Sequence, residues 1–305
     1  MAESAKSSGV LFALLSTVLW GSYPLWYSPL RDIAAVDVLA FRVIGSFAFV
    51  LLFITAIKNV SMSDLKQLVT RKATLKVVIS SAIVTAVWWL AYIYAVTHSL
   101  VLEASLGYFI SPIISVFFGF VLFKERPSIS QWVAICITFV AIANLIYNYG
   151  QTPWIAIIIG TCFSLYAAIR KGQTIKPLPG LGVECLFLLP FALIFLLYQT
   201  SNSGLALYAQ ITGLQWFFLL AIGLISVLPL WWYTIAAQKL EMITLSFFQL
   251  IPPTCNFLFA IFLFNETFTN THLVTFSLIW LASAAYFVDK LELFKPKLAV
   301  EGENT

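Results

Sequence analysis

Arg42, Glu103 and Glu184 each stand inside a long apolar run, where an ionised side chain costs about 2.5 to 3.5 kcal/mol and so needs a partner or a task. Arg42 lies about 9 Å into its run at 1.5 Å per residue. Glu103 lies just inside another run that begins from the same side. The two are expected to reach each other at similar depth as a buried ion pair, which serves either as a staple between helices or as a gate. Glu184 is a lone intramembrane carboxylate, the type of group that carries protons. Its alternative is an interfacial carboxylate paired with Arg170, Lys171 or Lys239. Around these charges stand many large rings: Trp20, Trp88, Trp89, Tyr92, Tyr108, Phe109, Trp231, Trp232, Phe247 and Phe248. Rings in membrane proteins pack or sit at the interface. Trp88-Trp89 and Trp231-Trp232 instead lie well inside their runs, as expected of residues lining a cavity for an aromatic or amphipathic solute.

Other chemistries lack their residues. The chain has no HExxH, no GxSxG, no glycine-rich phosphate loop and no metal-spaced His/Cys cluster. Its two histidines, His98 and His272, fall between or at the ends of runs, and a solvated loop is the expected place for His98. Cys136, Cys162, Cys185 and Cys255 sit in apolar runs without CxxC spacing, as small buried hydrophobes do. The net charge of +4 is spread over short loops, with no basic stripe for nucleic acid. No catalytic group, metal or cofactor is expected.

The elements that must position the charges are membrane helices. Of 305 residues 61% are apolar and 10% charged, against about 25% charged in soluble domains. Apolar runs cover 9–28, 36–57, 75–97, 101–123, 129–148, 153–170, 180–199, 213–237, 242–264 and 270–289, each close to the roughly 20 residues that cross a bilayer. The first run follows Lys6 as a signal peptide would, but Trp20 to Trp26 offers no small-x-small cleavage site, so it reads as a retained helix. With the N-terminus cytoplasmic, 15 of the 17 Lys and Arg residues fall in inner segments. The exceptions are Arg31, in the first outer loop, and Arg42. This asymmetry predicts ten helices with both termini inside.

The runs also repeat. Phe118 to Glu125 resembles Phe259 to Glu266 at an offset of 141, which also pairs Pro112 with Pro253. At 144, Thr17 falls on Thr161 and Phe47-Ala48 on Phe191-Ala192; at 143, Trp88-Trp89 falls on Trp231-Trp232. Each match joins run n to run n+5, and a five-helix unit leaves the membrane on the side opposite to its entry. The expected architecture is therefore all-α, with ten transmembrane helices as two inverted five-helix repeats. The first repeat covers residues 1–148, the second 149–289, and 290–305 form a polar cytoplasmic tail. Gly107, Ser111, Ser115 and Gly119 make a small-residue stripe for close packing. Pro112, Pro229, Pro252 and Pro253 are expected to interrupt their helices where protein or a wet cavity satisfies the freed carbonyls.

Leu102-Glu103-Ala104-Ser105-Leu106-Gly107-Tyr108-Phe109-Ile110-Ser111-Pro112 resembles the RarD branch of the EamA family, in the drug/metabolite transporter superfamily. So do Trp20-Gly21, Arg42, Glu184 before Leu188-Leu189-Pro190, and Leu245-Ser246-Phe247-Phe248-Gln249. The resemblance covers the chain except its polar ends. It departs at Phe41, where the family often has His, and at Ser111, where it often has Asn. It implies a secondary transporter of the bacterial inner membrane, similar to a protein associated with chloramphenicol sensitivity, that moves a small organic metabolite or drug by alternating access. Gln249 joins the candidate site residues on this ground. Expected partners are that solute, the lipid bilayer, protons or another coupling ion, and a second copy in a homodimer. A channel or non-transporting scaffold is the alternative, and a membrane-embedded enzyme ranks below both.

Overall fold

In hydrocarbon each backbone N–H and C=O must be satisfied within the protein, and the α-helix does this within one segment. The computed structural model describes residues 2–56, 62–124, 126–149, 152–170, 175–203, 206–237, 239–240 and 248–292, and among them the regular structure is entirely helical. In order, the helices are α1 (Ala2–Gly21), α2 (Tyr23–Tyr27), α3 (Ala35–Ala56), α4 (Met62–Thr70), α5 (Lys72–Thr97), α6 (Val101–Phe123) and α7 (Ile129–Tyr149). They continue with α8 (Trp154–Arg170), α9 (Pro177–Ser203), α10 (Ala206–Ala209), α11 (Gly213–Ala237), α12 (Ile251–Phe262) and α13 (Asn270–Glu292). Five of the described helices are long and apolar enough to cross a membrane. Two bent spans bring this to seven: α1 with the segment from Tyr23 to Leu30, bent by 43°, and α6, bent by 45° between Ser111 and Ile113. α8 and α12 are shorter apolar helices.

The run 9–28 falls on two helices, α1 and α2, the other expected runs each meet one, and one run changes its boundary. The run 242–264 is helical over Ile251–Phe262, and residues 242–247, including the candidate Phe247, lie outside the described residues. Pro252 and Pro253 do not interrupt that helix. They occupy its first turn, where the missing N–H would have had no intrahelical partner. Pro190 and Pro229, by contrast, lie within the continuous helices α9 and α11.

The perimeter is apolar, with Phe139 74% and Phe262 76% exposed, a surface that lipid covers and water does not tolerate. Inside, α1 packs on α11 and α12, while α8 packs on α5 and α6. α3 packs on α9 and α11, α9 touches α5, α6 meets α12, and α7 pairs with α13. Glycines set the closest approaches. A methyl group on Gly107 would meet the Ala156 carbonyl at 2.9 Å, and one on Gly160 would meet the Gly107 carbonyl at 2.9 Å, so α6 and α8 touch backbone to backbone.

Two carboxylates close one end of this bundle. Glu266 accepts from the backbone N–H groups of Val101 (2.6 Å) and Leu102 (2.8 Å) at the start of α6. Glu103 accepts from the N–H groups of Ile155 and Ala156 at the start of α8. Each carboxylate meets donors that have no intrahelical acceptor, at the positive end of a helix dipole. Glu266→Ala is therefore expected to cost about 1 to 2 kcal/mol of stability, read as a lower unfolding temperature in detergent. An unchanged midpoint would mean that water satisfies those groups equally well.

Candidate functional site: an aromatic cavity with two buried charges

A cavity of about 470 Å³ lies among α1, α2, α3, α5, α6, α8, α9, α11 and α12, within the size range of small-molecule sites. Helical periodicity selects its lining. Along α5 the lining residues are Thr85, Trp88, Trp89 and Tyr92, spaced i, i+3, i+4 and i+7 on one helix face. Along α6 they are Tyr108, Ser111 and Ser115, along α8 Phe163, Tyr166 and Ala167, and along α11 Ser226, Leu230 and Tyr233.

The rings form a connected wall. Trp88 Nε1 donates to the Tyr108 hydroxyl at 2.9 Å, and the Trp88 ring stands 5.0 Å from that of Phe163. Tyr92 lies 5.8 Å from Tyr108 and 6.2 Å from Tyr23. The Tyr23 hydroxyl donates to the Ile225 carbonyl at 3.1 Å. These bonds keep the rings in place while presenting apolar faces to the cavity.

Two charges interrupt this wall. Glu184, 1% exposed, accepts from the Ser81 hydroxyl through Oε1 at 2.6 Å and faces Arg170 Nη1 at 3.6 Å, while its Oε2 is buried without a hydrogen-bond partner among the described residues. Gly180 makes room for this arrangement, because a methyl group there would lie 2.2 Å from Arg170 Nη2. Of the counter-ions the sequence offers, Arg170 meets Glu184 among the described residues, Lys171 lying outside them, and the carboxylate is buried instead of lying at an interface. Arg42, 4% exposed, lies 3.8 Å over the Trp89 ring and within 5.6 and 5.7 Å of Tyr23 and Tyr27. Such contacts are each worth about 0.5 to 2 kcal/mol once desolvated. Its Nε is buried without a hydrogen-bond partner among the described residues.

The lining residues also fall into pairs along the sequence. At an offset of 141, Thr85 answers to Ser226, Trp89 to Leu230 and Tyr92 to Tyr233; Tyr108, Ser111 and Ser115 answer to Gln249, Pro252 and Asn256. At 143, Trp20 and Tyr23 answer to Phe163 and Tyr166, and at 142 Arg42 answers to Glu184.

The chain is 34% identical to an uncharacterized transporter of Pseudomonas aeruginosa over 95% of its own length and 96% of that protein's. It belongs to the EamA-like transporter family. The family's profile matches residues 7–147. The EamA-like chain is also 32% identical to the RarD protein of Escherichia coli, covering 93% of this chain and 95% of that one. It superposes on a solved crystal structure with a TM-score of 0.61 at 16% identity, covering 92% and 97% of the two chains, a likeness of fold. The EamA-like chain is thus a multi-pass membrane protein of a drug/metabolite-type transporter family.

Of the residues singled out from sequence, Trp20, Arg42, Trp88, Trp89, Tyr92, Tyr108, Glu184 and Gln249 line the cavity together. Gln249 also hydrogen-bonds to Tyr233. Glu103 does not line it and forms no ion pair with Arg42 among the described residues: its carboxylate is taken up by the start of α8, and Arg42 turns to the rings. Trp231 packs on Phe53 at 5.3 Å between ring centres, and Trp232 is absent from the lining. Phe248 packs near Ala13, Ala236 and Leu240. Phe109 faces Phe276 and Trp280. The small-residue stripe divides, with Gly107 in packing and Ser111 and Ser115 on the cavity. His98 stacks on Tyr94 at an exposed helix end. Tyr23, Thr85, Phe163, Tyr166, Tyr233 and Asn256 line the site but were not among the sequence candidates. A search of each run for polar and aromatic residues at i, i+3, i+4 and i+7 recovers those on α5 and α8.

Proposed function

We propose that this EamA-like chain is a secondary carrier that moves a small organic solute across the bacterial inner membrane by alternating access, with the aromatic cavity as its solute site. The observation that carries this reading is the pairing of the lining at offsets of 141 to 143. A site built from matching positions of two halves lies where rocking of one half against the other exposes it to either side in turn. On this reading residues 1–148 and 149–289 are inverted five-helix repeats with ten spans and cytoplasmic termini, and 290–305 form the cytoplasmic tail. Arg42 and Glu184 each lie seven residues past their helix starts at Ala35 and Pro177, about 10 Å by the helical rise. In inverted repeats those starts face opposite sides, which puts the two charges at either end of the midplane region. Glu103 and Glu266 then close the outer end, and Glu184 is the group through which a proton gradient would couple to the solute.

The test is solute flux in proteoliposomes, with and without an imposed proton gradient. Saturable flux that follows the gradient is expected. Flux that rises without saturation would indicate a channel, and absence of flux across a broad panel of metabolites and drugs would leave a scaffold. Glu103→Gln is expected to lower stability while retaining gradient-driven flux in the folded fraction, because its carboxylate serves the start of α8. Size exclusion in detergent separately tests the homodimer.

A further inference from the structure

Arg42 and Glu184 both line the cavity, each seven residues past its helix start, yet their surroundings differ in one respect that bears on the solute. Glu184 has a counter-ion, Arg170, at 3.6 Å. The offset of 143 that relates Tyr23 to Tyr166 relates Tyr27 to Arg170, and Tyr27 does lie against Arg42, 5.7 Å from guanidinium carbon to ring centre. Where Glu184 meets a charge of opposite sign, Arg42 meets a neutral ring.

Among the described residues Arg42 makes neither a hydrogen bond nor an ion pair, and its Nε is buried without a partner. At 4% exposure the side chain is nearly all withdrawn from the surface, and a guanidinium keeps its charge. Trp89 covers one face of the guanidinium at 3.8 Å, and Tyr23 and Tyr27 stand beside it. Rings attract the cation but offer its N–H groups no acceptor, so a planar fork is held at the cavity with no protein acceptor among the described residues. The Thr85 hydroxyl, one turn before Trp89 on the same face of α5, and Glu184 Oε2 are the other buried polar atoms of the lining without a hydrogen-bond partner among the described residues, and of these two only Glu184 has a counter-ion.

We infer that the solute supplies the missing anion: a small organic acid whose carboxylate seats on the N–H edge of Arg42 beside Thr85, and whose planar or apolar body lies against Trp88, Tyr92 and Tyr108. This deepens the carrier reading and rests on it. The solute completes in one half of the site the charge pairing that Arg170 provides in the other.

The test uses the full chain in lipid nanodiscs and matched series of acids, amides and amines on phenyl, indolyl and cyclohexyl bodies, such as 3-phenylpropanoate, 3-phenylpropanamide and 3-phenylpropylamine. Binding is read from tryptophan fluorescence, since Trp20, Trp88 and Trp89 line the cavity. The wild type is expected to bind acids about 10- to 100-fold more tightly than their amides, the range for hydrogen bonds to a charged group, and amines least. Arg42→Gln is expected to lose that preference while still binding the amides, and Arg42→Lys, which keeps the charge without the fork, to retain part of it. Acids that bind no better than amides, whether all bind alike or none binds, would overturn the inference, and the wild-type series decides this even if Arg42→Gln does not fold. The proteoliposome flux of the preceding section decides separately whether the carrier reading stands, because a neutral or cationic solute moving saturably would leave that reading intact and remove this one.

Discussion

Arg170→Ala is expected to deplete the folded protein from the membrane, and adding Glu184→Gln to it is expected to restore the protein without restoring transport. Glu184 is 1% exposed and Arg170 is its counter-ion at 3.6 Å. Removing the cation leaves a charge that neither water nor lipid can stabilise, at a cost of about 3 to 5 kcal/mol. That is a large part of the total stability of a typical protein. Neutralising the carboxylate as well removes the uncompensated charge, so the double variant should recover abundance, measured by quantitative blotting of membranes and by unfolding temperature in detergent. Gradient-driven flux should remain down by on the order of 100-fold in Glu184→Gln and in the double variant, as expected from loss of about 2.7 kcal/mol at one charged group. Gly180→Ala gives a third arm that alters no charge. It displaces the guanidinium, since the added methyl would lie 2.2 Å from Arg170 Nη2, and should fall between wild type and Arg170→Ala in abundance. Normal flux in Glu184→Gln would remove Glu184 from the coupling mechanism, and equal abundance of the single and double Arg170 variants would remove the pair from the energetics of the fold.

The second large effect is expected at Gly223. A methyl group there would lie 2.3 Å from the carbonyl carbon and 2.5 Å from the Cα of Gly45, so the obstacle is backbone and no side-chain rotation relieves it. Gly223→Ala must push α11 away from α3, and overpacking of this kind costs about 1 to 3 kcal/mol or more. Arg42 lies one turn before Gly45 on α3, and Ser226 lies one turn after Gly223 on α11. Separating the helices therefore opens the site as well as weakening the bundle. We expect a lower unfolding temperature and loss of most saturable flux. Gly213→Ala is the matched control at the start of the same helix, where nothing lies within 4 Å of the added methyl. If Gly223→Ala unfolds at the same temperature as Gly213→Ala, the close approach of α3 and α11 is not a constraint.

Comparison of the repeat with the lining explains why the tryptophan pairs divided. Trp88-Trp89 and Trp231-Trp232 match at 143, but the cavity faces of α5 and α11 correspond at 141. A shift of two residues turns a helix by about 200° at 3.6 residues per turn. That is enough to move Trp231 from the cavity to Phe53 and to bring Leu230 and Tyr233 in its place. The expected Arg42–Glu103 pair failed for a similar reason. Similar depth was legible from distances to the ends of the runs, but azimuth was not, and Glu103 points to the start of α8 while Arg42 faces the rings.

Sequence alone determined that the bilayer is the solvent, because only repeated apolar runs of membrane-spanning length account for a chain with 10% charged residues. It also identified Arg42, Glu184, Trp88, Trp89 and Tyr108 as residues whose burial needs an explanation, since the cost of a charge in hydrocarbon depends on depth, and depth can be counted along a helix. Tertiary structure decided which of them share a cavity, that Arg170 is the counter-ion of Glu184, and that Arg42 has three rings and, among the described residues, no counter-ion. Those outcomes depend on the rotation of each helix about its axis and on close approaches such as that of Gly45 to Gly223. A linear pattern of apolar residues sets where a helix lies in the membrane but leaves its contacts with the other helices open until they pack.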